Sequence, residues 1–361
     1  MTVIEARPLV RPIERHPDPM VEGAVDTSRF DDDEQAKTIR RAVRAKSQQL
    51  RADHPILRHQ SAIGGAILGG SVVGVLVTAA AYATGNLAWW ATVPIAAFFL
   101  AIAHEIEHDT IHRQYFSRND RAQNVIFAIV WVLRPNTVSP WTRKPLHLLH
   151  HKVSGTEQDI EERGITNGDR WGIKRMICMI DPLAAVVLRL PKEPKLRRFI
   201  LRASAKAYFP MAYIALAIWY SFVVVNIANL VGHLAGSGAL VAGGVPGTVL
   251  SVVNVLTVVW IAPNVLRVAC LHTISSNMHY FGDVEEGNIL QQTQVLNKWF
   301  FAPLQLFCAN FGSTHGIHHF VPSDPFYVRQ LTARSAHKVM REHGVRFNDL
   351  GTFRRANRYA R

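Results

Sequence analysis

Three histidine clusters in this chain are spaced for metal chemistry: His104-Glu105-Ile106-Glu107-His108, His147-Leu148-Leu149-His150-His151 and His315-Gly316-Ile317-His318-His319. The first satisfies H-E-x-x-H, in which two imidazoles hold zinc and a glutamate activates water. His112 follows at the same four-residue interval. On a helix, residues four apart lie about 40° apart around the axis, so His104 and His108 share a face and His112 stands about 40° further round. In H-x-x-H-H the first two histidines share a face and the third is adjacent. Eight or more imidazole nitrogens are too many for one ion and about right for two. Neutral imidazole suits zinc, iron, copper and nickel alike, so the donor type leaves the metal open.

Other groups surround these boxes. Glu105, Glu107, Asp109, Asp159, Glu161, Asp283 and Glu285 are carboxylates able to orient an imidazole through its second nitrogen. For Glu161 and Glu285 a solvated position is the simpler expectation. Arg113, Arg143, Lys152 and Arg267 lie near the boxes and offer contacts to an anionic head group. Cys178, Cys270 and Cys308 show no C-x-x-C spacing, which argues against disulfides, a zinc finger or an iron–sulfur cluster. No G-x-G-x-x-G motif stands between a strand and a helix, so no nucleotide cofactor is indicated.

The elements that must carry these residues follow from the distribution of charge. The chain has 361 residues, of which 48% are hydrophobic and 19% charged, with a net charge of +13. Residues 59–112 contain no Lys or Arg, and residues 207–266 contain no charged residue. Each block accommodates two crossings of about 20 residues, expected at 61–85, 87–103, 207–231 and 247–270. Gly64, Gly65, Gly69, Gly70 and Gly74 allow close helix approach in the first span. Asn226, Asn229, Asn254, Thr257 and Asn264 are expected to face the bundle interior.

Two such hairpins put both termini, every Lys and Arg, and all three boxes on one side. The positive-inside rule makes that side cytoplasmic. The net charge is then a topology effect, and no basic stripe interleaved with aromatics points to nucleic acid. The expected fold is all-α and integral to the membrane: four transmembrane helices in two hairpins under a cytosolic, histidine-rich helical cap. Residues 1–58 form a cytosolic segment, disordered over 1–30 and then a charged helix over 31–52, with no cleavable signal expected. Residues 59–325 form the membrane domain, and 326–361 a basic, solvated helix and tail that offers a docking face for an acidic partner. The apolar but interrupted segments 122–134, 173–190 and 289–311 read as interfacial amphipathic helices.

The four spans and the ordered boxes HEIEH, HLLHH and HGIHH resemble the integral-membrane fatty-acid desaturases and their alkane hydroxylase, ketolase and alkene-forming relatives, over about residues 60–325. "SSNMHYFG" (275–282) and "HHFVPSDPFY" (318–327) resemble two further segments of that family. The resemblance implies two irons on nine ligands: His104, His108, His147, His150, His151, His279, His315, His318 and His319. His112 stands as an additional ligand or supporting group. His272, Glu105, Asp109, Ser275 and Asn277 are supporting candidates, Ser275 replacing an Asn found there in some members.

The same resemblance implies that O2 and two electrons generate an oxidant that takes hydrogen from a fatty acyl chain. Desaturation leads this reading; hydroxylation and alkene-forming decarboxylation of a free fatty acid are alternatives on the same site. A separate donor, such as a ferredoxin or a rubredoxin with its reductase, would supply the electrons, and a bacterial inner membrane is the expected location. An intramembrane zinc protease would explain HEIEH but leave the other two boxes without a role. A metal transporter would place its ligands at mid-membrane rather than at the boundary.

Overall fold

The computed structural model describes residues 31–165 and 168–359, so the segment expected to be disordered, 1–30, lies outside the described residues. Among the described residues the regular elements are helical, with two isolated β-bridges, His279–Thr293 and Val295–Phe347. Helix α1 (Asp32–Asp53) starts where the Asp31 carboxylate accepts from the Asp33 N–H at 3.0 Å, with three acidic residues in its first turn. Ala36, Ile39 and Val43 recur at helical spacing and are buried.

Helices α2 (Gln60–Ala83) and α3 (Trp89–Ile111) are joined by a short turn through Gly85, whose φ of 75° suits glycine. They pack along each other. The glycines of α2 divide by face: a Cβ on Gly64 or Gly74 would strike the rings of Tyr115 or Phe99, whereas Gly65, Gly69 and Gly70 face open space. Helix α3 runs two turns beyond the expected end of its span and carries His104 and His108 inside it.

Four helices are long and apolar enough to cross a membrane: α2, α3, α10 (Met211–Leu234), and a continuous helix from Gly244 to Met278. Val73, Leu76, Val224, Leu230 and Val249 point outward from them, a surface that suits lipid rather than water. The last of these helices comprises α11 (Gly244–Leu256), a π-helical turn at Thr257–Ile261, and α12 (Ala262–Met278). A π turn adds one residue to the helical repeat and so rotates all that follows by about 100°. Asn264 and Arg267 lie beyond it and are buried. Asn226 and Asn254 bond each other at 3.0 Å, while Asn229 instead ties the loop at Val241.

Between the spans lie α4 (Asp120–Leu133), α5 (Pro140–Val153), α6 (Ile160–Gly164), α7 (Ile173–Ile180), α8 (Pro182–Val187) and α9 (Pro194–Tyr208). The expected helix over 122–134 is α4, with Ile126 and Phe127 buried and Val125 and Val132 exposed. That over 173–190 breaks in two, because Pro182 starts a new helix capped by Asp181. The segment 289–311 is not one helix. It divides into α13 (Ile289–Gln292), a buried extended run, and α14 (Ala302–Leu306). Here Gln294 binds the carbonyls of Asn277 and Asp349, and polar side chains buried in this way hold the backbone out of a helix.

Helices α15 (Phe311–Phe320) and α16 (Phe326–Glu342) follow. The basic helix expected to be solvated has a buried face: Arg329, Thr332, Ala336 and Met340 repeat at helical spacing, and Ala336 and Met340 join the cluster of α1 and α15.

Candidate metal centre

The C-terminal ends of α3 and α12 meet α5 and α15, and there nine imidazoles converge in two groups. His108, His112, His147, His151 and His318 form one, with one ring nitrogen from each lying within 4.8 Å of all the others. His150, His279, His315 and His319 form the second by the same measure. The groups adjoin: His151 and His319 have ring centroids 4.9 Å apart, and His150 and His151 5.5 Å apart. The split departs from the expectation that the first two histidines of H-x-x-H-H act together: the first and third, four residues apart, point the same way and the second points to the other group. On α5, His147 and His151 point into the first group and His150 into the second; on α15, His318 points into the first and His315 and His319 into the second.

The nitrogens face one another at distances that suit a common cation. Nε2 of His112 is 3.0 Å from that of His147 and 3.1 Å from that of His318. Nε2 of His151 is 3.0 Å from His318 and 3.2 Å from His147, and His279 and His319 approach to 3.3 Å. Donors about 2.1 Å from one ion and at right angles to each other stand about 3.0 Å apart. Both nitrogens of His108 and Nδ1 of His315 are buried without a hydrogen-bond partner among the described residues. Such orphaned nitrogens are costly unless an ion takes them.

Acceptors on the far side of the rings fix several of them. His147 Nδ1 lies 2.7 Å from Glu161, His150 Nδ1 2.8 Å from Asp159, His279 Nδ1 3.0 Å from the Ser275 carbonyl and His319 Nδ1 3.3 Å from Gln292. Donating Nδ1–H to these oxygens leaves the Nε2 lone pair free for a metal. Gly155, at φ 84°, turns the chain after α5, and its N–H helps to hold Asp159 at 3.3 Å. His318 is held differently, by Arg329, whose Nη1 lies 2.7 Å from His318 Nδ1 while Nη2 pairs with Glu105 at 2.9 Å.

Burial pushes the protonation of most of these rings down, so that they stand neutral and able to bind a cation. His112 falls to about 2 and His279 to about 3, while His147, His151, His315, His318 and His319 are also lowered. His150 goes the other way: burial lowers it, but the Asp159 carboxylate outweighs that and raises it to about 9. Burial works against the Glu161 charge, yet His147 and Arg143 hold it well below the usual carboxylate range.

His104 lies outside both groups. Its Nε2 is 3.1 Å from Arg143 Nη1. The pair that converges from this helix is therefore His108 and His112, one turn later than the H-E-x-x-H match. Glu105 and Asp109 both pair with Arg329, and Asp109 also accepts from Tyr115 and the Phe326 N–H at 2.8 Å. Ser275 touches His279, whereas Asn277 binds the Thr273 carbonyl and His272 the Met179 carbonyl at 2.6 Å, both away from the groups. Arg143 bridges Glu107 and Glu161; Arg113 pairs with Asp120 instead, and Lys152 is exposed.

Glu161, expected to be solvated, is inside the site because Arg143 balances its charge and His147 Nδ1 lies within hydrogen-bonding distance of it. Glu285 is exposed, and Asp283 caps the Tyr359 N–H away from the histidines. Arg329 and Arg134, which pairs with Glu107, were not singled out from sequence. For Arg329 the signal was available, since its position falls on the apolar stripe of α16.

The model of the fatty acid desaturase family matches residues 84–351, a stretch that contains every histidine of both groups. No curated protein matches the chain.

Proposed function

Since this chain belongs to the fatty acid desaturase family, we propose that it is an O2-dependent oxidase that converts a –CH2–CH2– unit of a fatty acyl chain into –CH=CH–. The balance requires O2, two electrons and two protons for each double bond and two waters formed. The observation that carries the reading is the pair of adjoining, largely buried histidine groups, gathered where two long apolar helices end. His108, His112, His147, His151 and His318 would hold one iron and His150, His279, His315 and His319 the other. When bound, such irons supply the redox capacity to activate O2, which zinc lacks.

The chain's own residues hold and enclose that centre. Glu161 and Asp159 fix the rings of His147 and His150, and Arg329 fixes His318 while balancing Glu105 and Asp109. Phe311 stacks on His315 at 3.9 Å and closes one side with apolar surface. The zinc-protease reading loses one of its two ligands and its base, because His104 faces Arg143 and Glu105 is tied to Arg329. The electrons would come from a ferredoxin or a rubredoxin with its reductase, and the histidine-bearing face would be the cytoplasmic side of a bacterial inner membrane.

Expression in a host lacking the activity, with saturated fatty acids supplied and lipids and headspace analysed by mass spectrometry, tests the reaction. New unsaturated acyl chains are expected. Hydroxy acids or volatile odd-chain alkenes would replace desaturation by the sister reactions. Metal analysis should find about two irons per chain; one zinc and no iron would overturn the proposal.

A further inference from the structure

Arg267 is a buried cation left unpaired among the described residues. It is 1% exposed, and neither Nη1 nor Nη2 has a hydrogen-bond partner among them. Its Nε reaches Asn264 Oδ1 only at 3.4 Å. Asn264 Nδ2 is itself committed to the Leu133 and Trp260 carbonyls, both at 2.9 Å. A guanidinium stays charged in a protein, and a buried charge without a counter-charge is strongly unfavourable.

The neighbouring charges do not supply the missing partner. Arg267 lies within electrostatic reach of Arg134, Arg143 and Glu107. Glu107 is taken by Arg134 and Arg143, and Arg143 also takes Glu161, which His147 shares. Glu105, the next carboxylate within electrostatic reach of Arg134 and Arg143, is paired with Arg329, so none of these carboxylates forms an ion pair with Arg267 among the described residues. A planar, singly charged group with two oxygens matches the free Nη1 and Nη2 in both charge and shape.

The helix relates the guanidinium to the histidines. Arg267 sits in a helix apolar and long enough to span a membrane. Leu271 and Ile274, four and seven residues on, continue its face. Both pack with Phe311, which stacks on His315 of the second histidine group. Packed apolar side chains therefore fill the stretch between the guanidinium and the candidate metal centre.

We propose that Arg267 binds the carboxylate of an unesterified fatty acid, so that the free acid, rather than a thioester or a lipid-bound acyl group, is the substrate. This rests on the acyl-chain reading above and names the head group that the chain carries.

The test is binding to the full-length protein in nanodiscs, with straight-chain acids from decanoate to octadecanoate and their methyl esters as probes. The acids are expected to bind on the order of tenfold or more tighter than the esters and to raise the unfolding temperature accordingly. Arg267→Leu should abolish that preference while keeping its metal content, and Arg267→Lys should retain part of it. Without ligand, Arg267→Leu should also melt higher than the wild type, since it removes an unpaired buried charge. Equal binding of acid and ester by the wild type would overturn the proposal. So would a preference that survives in Arg267→Leu, or competition by acetate or inorganic phosphate as strong as that by the acids. If Arg267→Leu fails to insert, the wild-type comparison of acid with ester decides alone. Failure of the oxidase reading would look different: the acid preference would stand while iron and oxidised product were missing.

Discussion

The first box owes its identity to a shift of one turn. His104 and His108 match a zinc motif, but His104 is spent on Arg143 while His112 sits among His147, His151 and His318. His112→Ala should therefore lower the metal content of both groups, which share α5 and α15, whereas His104→Ala should leave it near the wild-type value. Metal analysis of the two purified variants decides between the registers.

The Asp159–His150 pair adds a pH dependence. In the metal-free protein His150 keeps its proton up to about 9, and a cation needs the neutral ring. Affinity at the second group should rise about tenfold per pH unit towards pH 9 and level off above it, with about one proton released per ion. His279, pushed down to about 3, adds no slope in that range. Asp159→Asn should move the rise to lower pH, measurable by calorimetry in buffers of different ionisation enthalpy. For stability the sign is the reverse. The raised His150 stabilises the metal-free fold below its unperturbed value of about 6.5, and this contribution fades as pH climbs through about 9.

At the scale of elements, helix α2 supports the site without carrying any of it. Gly64 faces the ring of Tyr115, whose hydroxyl holds Asp109 at 2.8 Å, next in sequence to His108. Gly64→Ala should displace that ring, cost roughly 1–3 kcal/mol and reduce metal retention. Gly65→Ala, which faces open space, should change neither; thermal melts and metal analysis of the pair check this. The spans were legible because two long blocks lack basic residues, and the boxes because imidazole spacing survives in any helix. Less legible was anything set by partners distant in sequence. Glu161 resembles a surface acid until Arg143 and His147 fold against it. Residues 289–311 look like an amphipathic helix until Gln294 finds the carbonyls of Asn277 and Asp349. The π turn at Thr257–Ile261 has no marker in composition, yet it sets which face of α12 Arg267 occupies.

Across the whole molecule, the two adjoining histidine groups are built on shared helices. Helices α5 and α15 each contribute to both, so an ion in one group orders ligands of the other. Loading should be cooperative. Native mass spectrometry of protein given half its complement of ferrous iron should show empty and doubly loaded chains, with few singly loaded; a dominant single-ion species would contradict this. Cooperative loading has a consequence for supply. When metal is scarce, such a protein does not slow down evenly across all copies. It divides into a fully competent fraction and an idle one, and the cell's output then tracks a head-count of molecules.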